Sequence, residues 1–280
     1  MSLPAGIVRP ARRPSGWLAP GPTPLARADI VPGAGEDLCF LCGDWRILQR
    51  QDGHRWSLDD LVTGWFAAEA VPHAPRRVLD LGCGIGSVLL MLAWRFPEAE
   101  VQGIEAQPLS VDLARRSIAW NGVDGRCRVM QADLREPAAV GPRGAFDLVT
   151  GTPPYLRPGT ARESARVQKG PCNFEHRGGI EAYCEAAASM LAPDGLFVVC
   201  EQAAQDARVR AAAAAAGLAI TRTLPVVPRA GKAALFAVYA MARARGCAVG
   251  ALMPALVVRD AKGAWTPAFL SLRATMGLPP

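Results

Sequence analysis

The chain has 280 residues, half of them hydrophobic, with 31 basic and 25 acidic side chains for a formal net charge of +6. That is enough apolar material for one large soluble domain, or one domain with additions. Apolar runs such as Val88 to Trp94 are far short of the roughly 20 residues a membrane-spanning helix needs, which argues against a membrane protein.

Residues 1–38 are rich in Pro, Gly and Arg and lack both the continuous apolar core of a secretory signal and helical periodicity. They read as a mobile, disordered tail; an organelle-targeting role for the arginines is the alternative, against which the proline spacing argues. Residues 39–75 follow as an extension. A hairpin-like stretch, "DLCFLCGDWRILQRQDG", leads into the helix "SLDDLVTGWFAAEAV", with Ser57 as its N-cap. Cys39 and Cys42 form the one close CxxC pair among eight cysteines. No second pair or His cluster completes a four-ligand zinc site, so they read as small buried hydrophobes, no metal is expected, and a reduced, cytoplasmic protein fits.

From residue 76 to 245 short apolar runs alternate with helical stretches, the signature of a parallel sheet covered by helices. Strands are expected at "RRVLDLG", "AEVQGIEA", "CRVMQAD", "FDLVTG" and "LFVVCE", and helices at "SVLLMLAWRF", "LSVDLARRSIAWNG", "GIEAYCEAAASMLAPDG" and the alanine run Ala207 to Ala216. The last two strands, "AITRTLPVV" and "ALFAVYAMA", are joined by a turn and are therefore antiparallel, because a parallel pair needs a crossover of roughly a dozen residues or more. Residues 246–280 read as a short hairpin and a helix opened by Pro267, packed on the core.

The chemistry-bearing residues sit at strand ends. "DLGCGIGS" places Gly82, Gly84 and Gly86 between the first core strand and its helix, so that a ligand can approach bare backbone; dinucleotide and flavin enzymes use related turns. Three acids end three successive strands. Asp80 suits the ammonium of an amino-acid-like ligand, directly or through water; Glu105, 19 residues after Gly86, suits a pair of ribose hydroxyls; Asp133 suits an exocyclic adenine amine. Each residue taken singly also fits a loop-capping or surface acid.

This loop, these acids and the antiparallel closing pair resemble a class I S-adenosylmethionine-dependent methyltransferase. The resemblance implies an α/β fold: a doubly wound, mostly parallel, Rossmann-like sheet of seven strands ordered 3-2-1-4-5-7-6, with the cofactor S-adenosyl-L-methionine over the first three strand ends. The fourth strand end carries "GTPPY" (151–155), similar to the Asn/Asp/Ser-Pro-Pro-Tyr motif of amino methyltransferases. In that family the first residue's side chain and the first proline's carbonyl accept the hydrogens of a planar amine, and the aromatic residue stacks on the substrate. Here these are Thr152, Pro153 and Tyr155, with Pro154 stiffening the turn. Thr152 departs from the usual Asn, and its hydroxyl oxygen lies closer to the backbone than an amide oxygen would.

The outer segments narrow the resemblance to bacterial tRNA adenine-N6 methyltransferases that modify the adenine beside a valine anticodon. "SLDDLVTGWFA" is similar to that family's pre-core segment, with Asp59 at its acid and a cofactor-binding role implied, and "LVVRDAKGAWTPAF" is similar to its closing hairpin and helix. The implied activity is methylation of an exocyclic amine of adenine in RNA, tRNA in particular, by a monomer or weak dimer. A protein glutamine amide, a small-molecule amine, or a cofactor-binding or RNA-binding relic without turnover stand as alternatives. The 24-residue stretch Leu156 to Gly179 carries Arg157, Arg162, Arg166, Lys169 and Arg177 against Glu163 and Glu175. Beside the acceptor pocket its Arg162, Arg166, Lys169 and Arg177 suit RNA phosphates, and a solvated loop is the plain alternative. The positive charge itself fits either a polyanionic partner or a compositional Arg-over-Lys bias.

Overall fold

The computed structural model describes residues 5–136, 142–157, 159, 172, 174–244 and 250–280. The core strands are β4 (Arg77–Leu81), β5 (Glu100–Glu105), β6 (Cys127–Gln131), β7 (Phe146–Gly151), β8 (Leu191–Gln202), β9 (Leu218–Val227) and β10 (Phe236–Arg243). They are ordered β6-β5-β4-β7-β8-β10-β9, the expected 3-2-1-4-5-7-6 arrangement. β10 runs antiparallel to both of its neighbours, while the other pairs in β6 through β8 are parallel. Two short strands extend the sheet beyond that pattern, β11 (Ala251–Leu252) and β12 (Leu256–Val257), both parallel to β9.

Successive strand residues point to opposite faces, and both faces are covered. Val78, Leu148 and Val198 pack with α1 (Leu58–Ala70), α2 (Ser87–Arg95) and α3 (Pro108–Asn121). Their neighbours Leu79, Val149 and Phe197 pack with α4 (Ile180–Met190) and α5 (Asp206–Ala215). That is why these strands read as continuous apolar runs. A last helix, α6 (Pro267–Thr275), opens with Pro267 after an N-cap at Thr266, whose hydroxyl accepts from Phe269 N.

A second sheet precedes the core: β1 (Ile7–Val8) pairs in parallel with β2 (Glu36–Phe40), which forms an antiparallel hairpin with β3 (Arg46–Arg50). The hairpin thus begins within the stretch assigned to the tail. It docks on α3, where Ser117 Oγ accepts from Leu48 N at 2.9 Å and donates to Leu113 O at 2.7 Å, fully buried. Cys42 is buried, and Cys39 Sγ lies 3.2 Å from Asp37 Oδ1 beside Arg55. Asp37 is itself held by Arg9 and Arg55.

The expectation of a mobile tail does not hold for residues 5–38, which are strapped along the domain. Arg13 pairs with Asp44 at 2.6 Å, Trp45 Nε1 donates to Pro22 O at 3.0 Å, Leu25 N donates to Asn121 O at 3.1 Å, and Arg116 Nη2 donates to Val31 O at 3.0 Å. Proline-rich backbone has few internal hydrogen bonds to make, so its polar groups are satisfied by the surface it crosses. Such pairing leaves no period in the sequence.

Replacing Ser117 by Ala leaves Leu48 N buried without an acceptor. The expected cost is about 1–3 kcal/mol, and a thermal melt should fall by several degrees with the fold retained.

Candidate active site

The βα crossovers bring the C-terminal ends of β4 to β8 to one edge of the sheet, where strand pairing stops. A cavity of about 400 Å³ lies there, within the usual size range of small-molecule sites. Its walls include Gly82, Gly84, Glu105, Asp133, Thr152, Pro153, Pro154, Tyr155, Arg177 and, from α1, Asp59.

The three glycines of the loop do three different things. An added Cβ at Gly82 would come within 2.1 Å of Tyr183 Oη, so Gly82 admits a buried tyrosine of α4. Gly84, at φ +54, has open space where its Cβ would be, and its backbone lies bare to the cavity. Gly86, in the left-handed region at φ 87, caps α2 behind the wall, and its carbonyl accepts from Leu90 N. Gly151 serves Tyr183 as Gly82 does: a Cβ there would meet the ring at 2.6 Å.

The strand-end acids also divide. Asp80 does not line the cavity. It is 2 % exposed, accepts from Thr150 Oγ1 at 2.8 Å, and is pushed up to about 7 by burial. It therefore stands behind the loop and has no direct access to a ligand ammonium. Glu105 does reach the cavity. Its two oxygens accept from Gly84 N at 3.0 Å and Gln107 N at 2.7 Å, and burial raises its pKa. Asp133 is clasped by Arg135, with 2.7 Å between Oδ2 and Nη2, and that hydrogen bond holds its pKa below the ordinary range. Arg177 lies 4.0 Å from Asp133.

Asp59 makes a contact the sequence did not announce: Tyr155 donates its hydroxyl to Asp59 Oδ2 at 3.0 Å. The same hydroxyl lies 3.2 Å from Cys200 Sγ. Asp59 also accepts from the Ser57 hydroxyl and from Asp60 N. Its neighbour Asp60 lines the cavity too, accepts from Ser57 N, and is pushed up by burial and by the like charge of Asp59. Asp60, Gln107, Tyr183 and Gln202 are cavity residues that sequence reasoning missed. Adjacent acids at a helix start gave a signal for Asp60, but nothing in the sequence says which of the pair faces inward.

The chain re-enters beside the motif through an isolated bridge of Leu156 with Phe174. Glu175 and Glu181 are then gripped by Arg208 of α5, each at 2.6 Å. Arg162, Arg166 and Lys169 lie outside the described residues.

Residues 60–169 match the methyltransferase small domain. The chain is a class I S-adenosylmethionine-dependent methyltransferase. A protein of Porphyromonas gingivalis named tRNA1(Val) (adenine(37)-N6)-methyltransferase is 29% identical over 172 residues, 59% of this chain and 67% of that one. A protein of the same name from Yersinia pestis is 33% identical over 132 residues, 46% of this chain and about half (51%) of the relative's length. In fold the methyltransferase is similar to a solved structure described as a predicted O-methyltransferase from Agrobacterium tumefaciens, with TM-score 0.62 and 21% identity, over 79% of this chain and 98% of that one.

The bare backbone at Gly84 and the inward carboxylate of Glu105 fit S-adenosylmethionine at this cavity. Among the described residues no helix is long and apolar enough to cross a membrane.

The buried Asp80 makes stability depend on pH. Its pKa of about 7 in the fold, against an ordinary value of roughly 4 when unfolded, means the native state holds a proton that the unfolded chain releases. Its stabilising contribution is complete below about pH 4 and is lost as pH rises through 7. Asp80→Asn, which keeps an acceptor for Thr150, should flatten that decline; urea melts at pH 5 and pH 8 measure it, with a differential of up to about 2.5 kcal/mol.

Proposed function

We propose that the methyltransferase acts on the exocyclic amine of an adenine in RNA, in tRNA above all. The observation that carries this reading is that Thr152, Pro153 and Tyr155 line the same cavity as Gly84, Glu105 and Asp133. The relatives' printed names support the acceptor. When bound, S-adenosylmethionine supplies an electrophilic methyl group on a sulfonium.

In this reading Glu105 accepts the ribose hydroxyls, the Gly82–Gly84 backbone receives the amino-acid portion with Asp60 nearby, and Asp133 receives the adenine amine, exchanging part of its clasp with Arg135. The acceptor amine is a poor nucleophile because its lone pair is delocalised into the ring. Thr152 Oγ1 and the Pro153 carbonyl take its two hydrogens and turn the lone pair toward the methyl position. Most of the rate then comes from orientation, and no strong base is required. Tyr155 presents its ring to the flipped base while its hydroxyl stays on Asp59. Asp59 accordingly acts as a positioning residue on Tyr155 rather than as a cofactor ligand. Arg177, at the cavity wall, takes a phosphate near the target.

A glutamine amide or small-molecule amine is the competing acceptor, and Thr152 in place of Asn is the observation in its favour. Supplying labelled S-adenosylmethionine with total tRNA, total protein and a metabolite extract separates the readings. Label in tRNA, released as N6-methyladenine on digestion, is expected; label in protein or metabolites alone refutes the proposal, and label in no pool makes the chain a relic.

With an RNA acceptor, Thr152→Ala should lower kcat roughly ten- to a hundredfold, the loss of one amine contact, with KM little changed. Tyr155→Phe keeps the ring but frees it from Asp59. A smaller fall of about three- to tenfold is expected from one lost hydrogen bond, and Asp59→Asn, which still offers an acceptor, should restore most of what Asp59→Ala loses.

A further inference from the structure

Part of the positive charge of the described surface is neutralised in ion pairs. Arg9, Arg13, Arg27, Arg50, Arg55, Arg95, Arg116, Arg135, Arg208 and Arg210 each lie within ion-pair distance of a carboxylate. Among the described residues the exposed cations without such a pair include Arg12, Arg76, Arg128, Arg143 and Arg222, spread over the surface, and four that stand together. Arg229 and Lys232 lie on the turn between β9 and β10, Arg259 and Lys262 on the turn after β12, and all four are exposed. Among the described residues none of the four is paired with a carboxylate.

Two turns 30 residues apart in sequence are built into one surface. Because β12 pairs with the end of β9, Arg259 O accepts from Ala230 N at 2.8 Å. Arg229 Nη2 lies 3.1 Å from where a Cβ on Gly263 would be, so Gly263 leaves room for that guanidinium. Arg259 is held by a hydrogen bond to Gly263 O at 2.7 Å and by the Trp265 ring, 5.6 Å from its guanidinium carbon to the ring centroid. The one acid in the cluster, Asp260, spends its carboxylate on Ala264 N at 3.0 Å. The cations are thus pre-positioned, and the local charge is net positive.

The surface also lies at the cavity's end of the sheet. Gln202 lines the cavity and pairs with Phe236 at the start of β10, and Phe236 pairs with Val226 at the end of β9. The strands from β8 through β10 and β9 to β12 are neighbours, so the cluster stands roughly 14 Å from the cavity edge, three strand spacings.

We propose that Arg229, Lys232, Arg259 and Lys262 form a docking surface for the phosphodiester backbone of the acceptor RNA, gripping nucleotides a few residues from the one in the cavity. The inference rests on RNA being the acceptor. The cluster neutralises phosphates without reading sequence, so it sets affinity and orientation and leaves the chemistry at Thr152 untouched.

The test combines Arg229→Ala, Lys232→Ala, Arg259→Ala and Lys262→Ala in the full chain. Total tRNA binding is followed over a salt series, and methyl transfer to the same tRNA is measured for kcat and KM. Binding should weaken at least about tenfold at moderate salt, with the slope of log affinity against log salt flattened by roughly 3, KM raised, and kcat nearly unchanged. The pair Arg229→Ala with Lys232→Ala, which leaves the Trp265 contact alone, should give about half that change in slope. A control that removes Arg76 and Arg143, at the opposite end of the sheet, should leave binding within about twofold, since those positions face away from the docking path. Unchanged affinity and slope in the quadruple variant, or an equal loss in the control, overturns the surface while leaving the acceptor standing. If the wild type binds tRNA but labels only protein or metabolites, the acceptor falls, and the surface falls with it as a docking site for acceptor RNA.

Discussion

Everything at the site depends on where β7 stops. Through Gly151 the strand pairs with β4 on one side and β8 on the other. Pro153 and Pro154 then offer no N–H to either neighbour, so pairing cannot continue and the backbone must leave the sheet with its carbonyls free. The exit is fixed from two directions. Tyr183 of α4 packs so closely beneath Gly151 and Gly82 that neither position tolerates a side chain, and Tyr155 is held from above by Asp59. A segment that could have been a floppy loop is therefore clamped between the helices on the two faces of the sheet.

The clamp explains why α1 belongs to the site although it precedes the core. It packs against α2 and over β7, β8 and β10, and its first turn carries two carboxylates to the cavity edge. Ser57 and Asp60 close a reciprocal capping box there, which fixes the angle at which Asp59 meets Tyr155. The strap of residues 5–38 and the β2–β3 hairpin act one layer further out, holding α3, whose first turn follows directly on Glu105. Stability in these outer layers is thus transmitted to the geometry of the cofactor end.

Much of this was legible in the sequence, for a physical reason. In a parallel sheet the crossovers oblige successive strands to end at the same edge, so locating strands also locates the residues after them. Glu105, Asp133 and the 152–155 run were found in that way, and the antiparallel closing pair followed from the shortness of its turn. What escaped were choices of direction. Asp80 could face the ligand or the core, and Thr150, a neighbour only through strand pairing, takes it into the core. Asp59 and Asp60 lie side by side on a helix start, and tertiary contacts alone divide their tasks. The strap escaped because its order comes from long-range pairing of single polar groups, which leaves no periodicity to read.

The electrostatics of the molecule fall into two zones that complement each other. The cavity holds Asp59, Asp60, Glu105 and Asp133 against the single arginine Arg177 among its described lining residues, a lining that on balance favours a cationic sulfonium over phosphate. The strand-end turns beyond β8 present Arg229, Lys232, Arg259 and Lys262, with no paired carboxylate among the described residues, which attracts phosphate. In the proposed reading a polyanion approaching this edge is drawn to the rim, with Arg177 at the cavity wall, and its backbone is disfavoured deeper in the cavity. The part of a nucleotide best able to cross from one zone to the other is its uncharged base. On the proposed RNA acceptor, that separation favours a base turned out from its chain, before Thr152 and Pro153 test whether the base carries an amine.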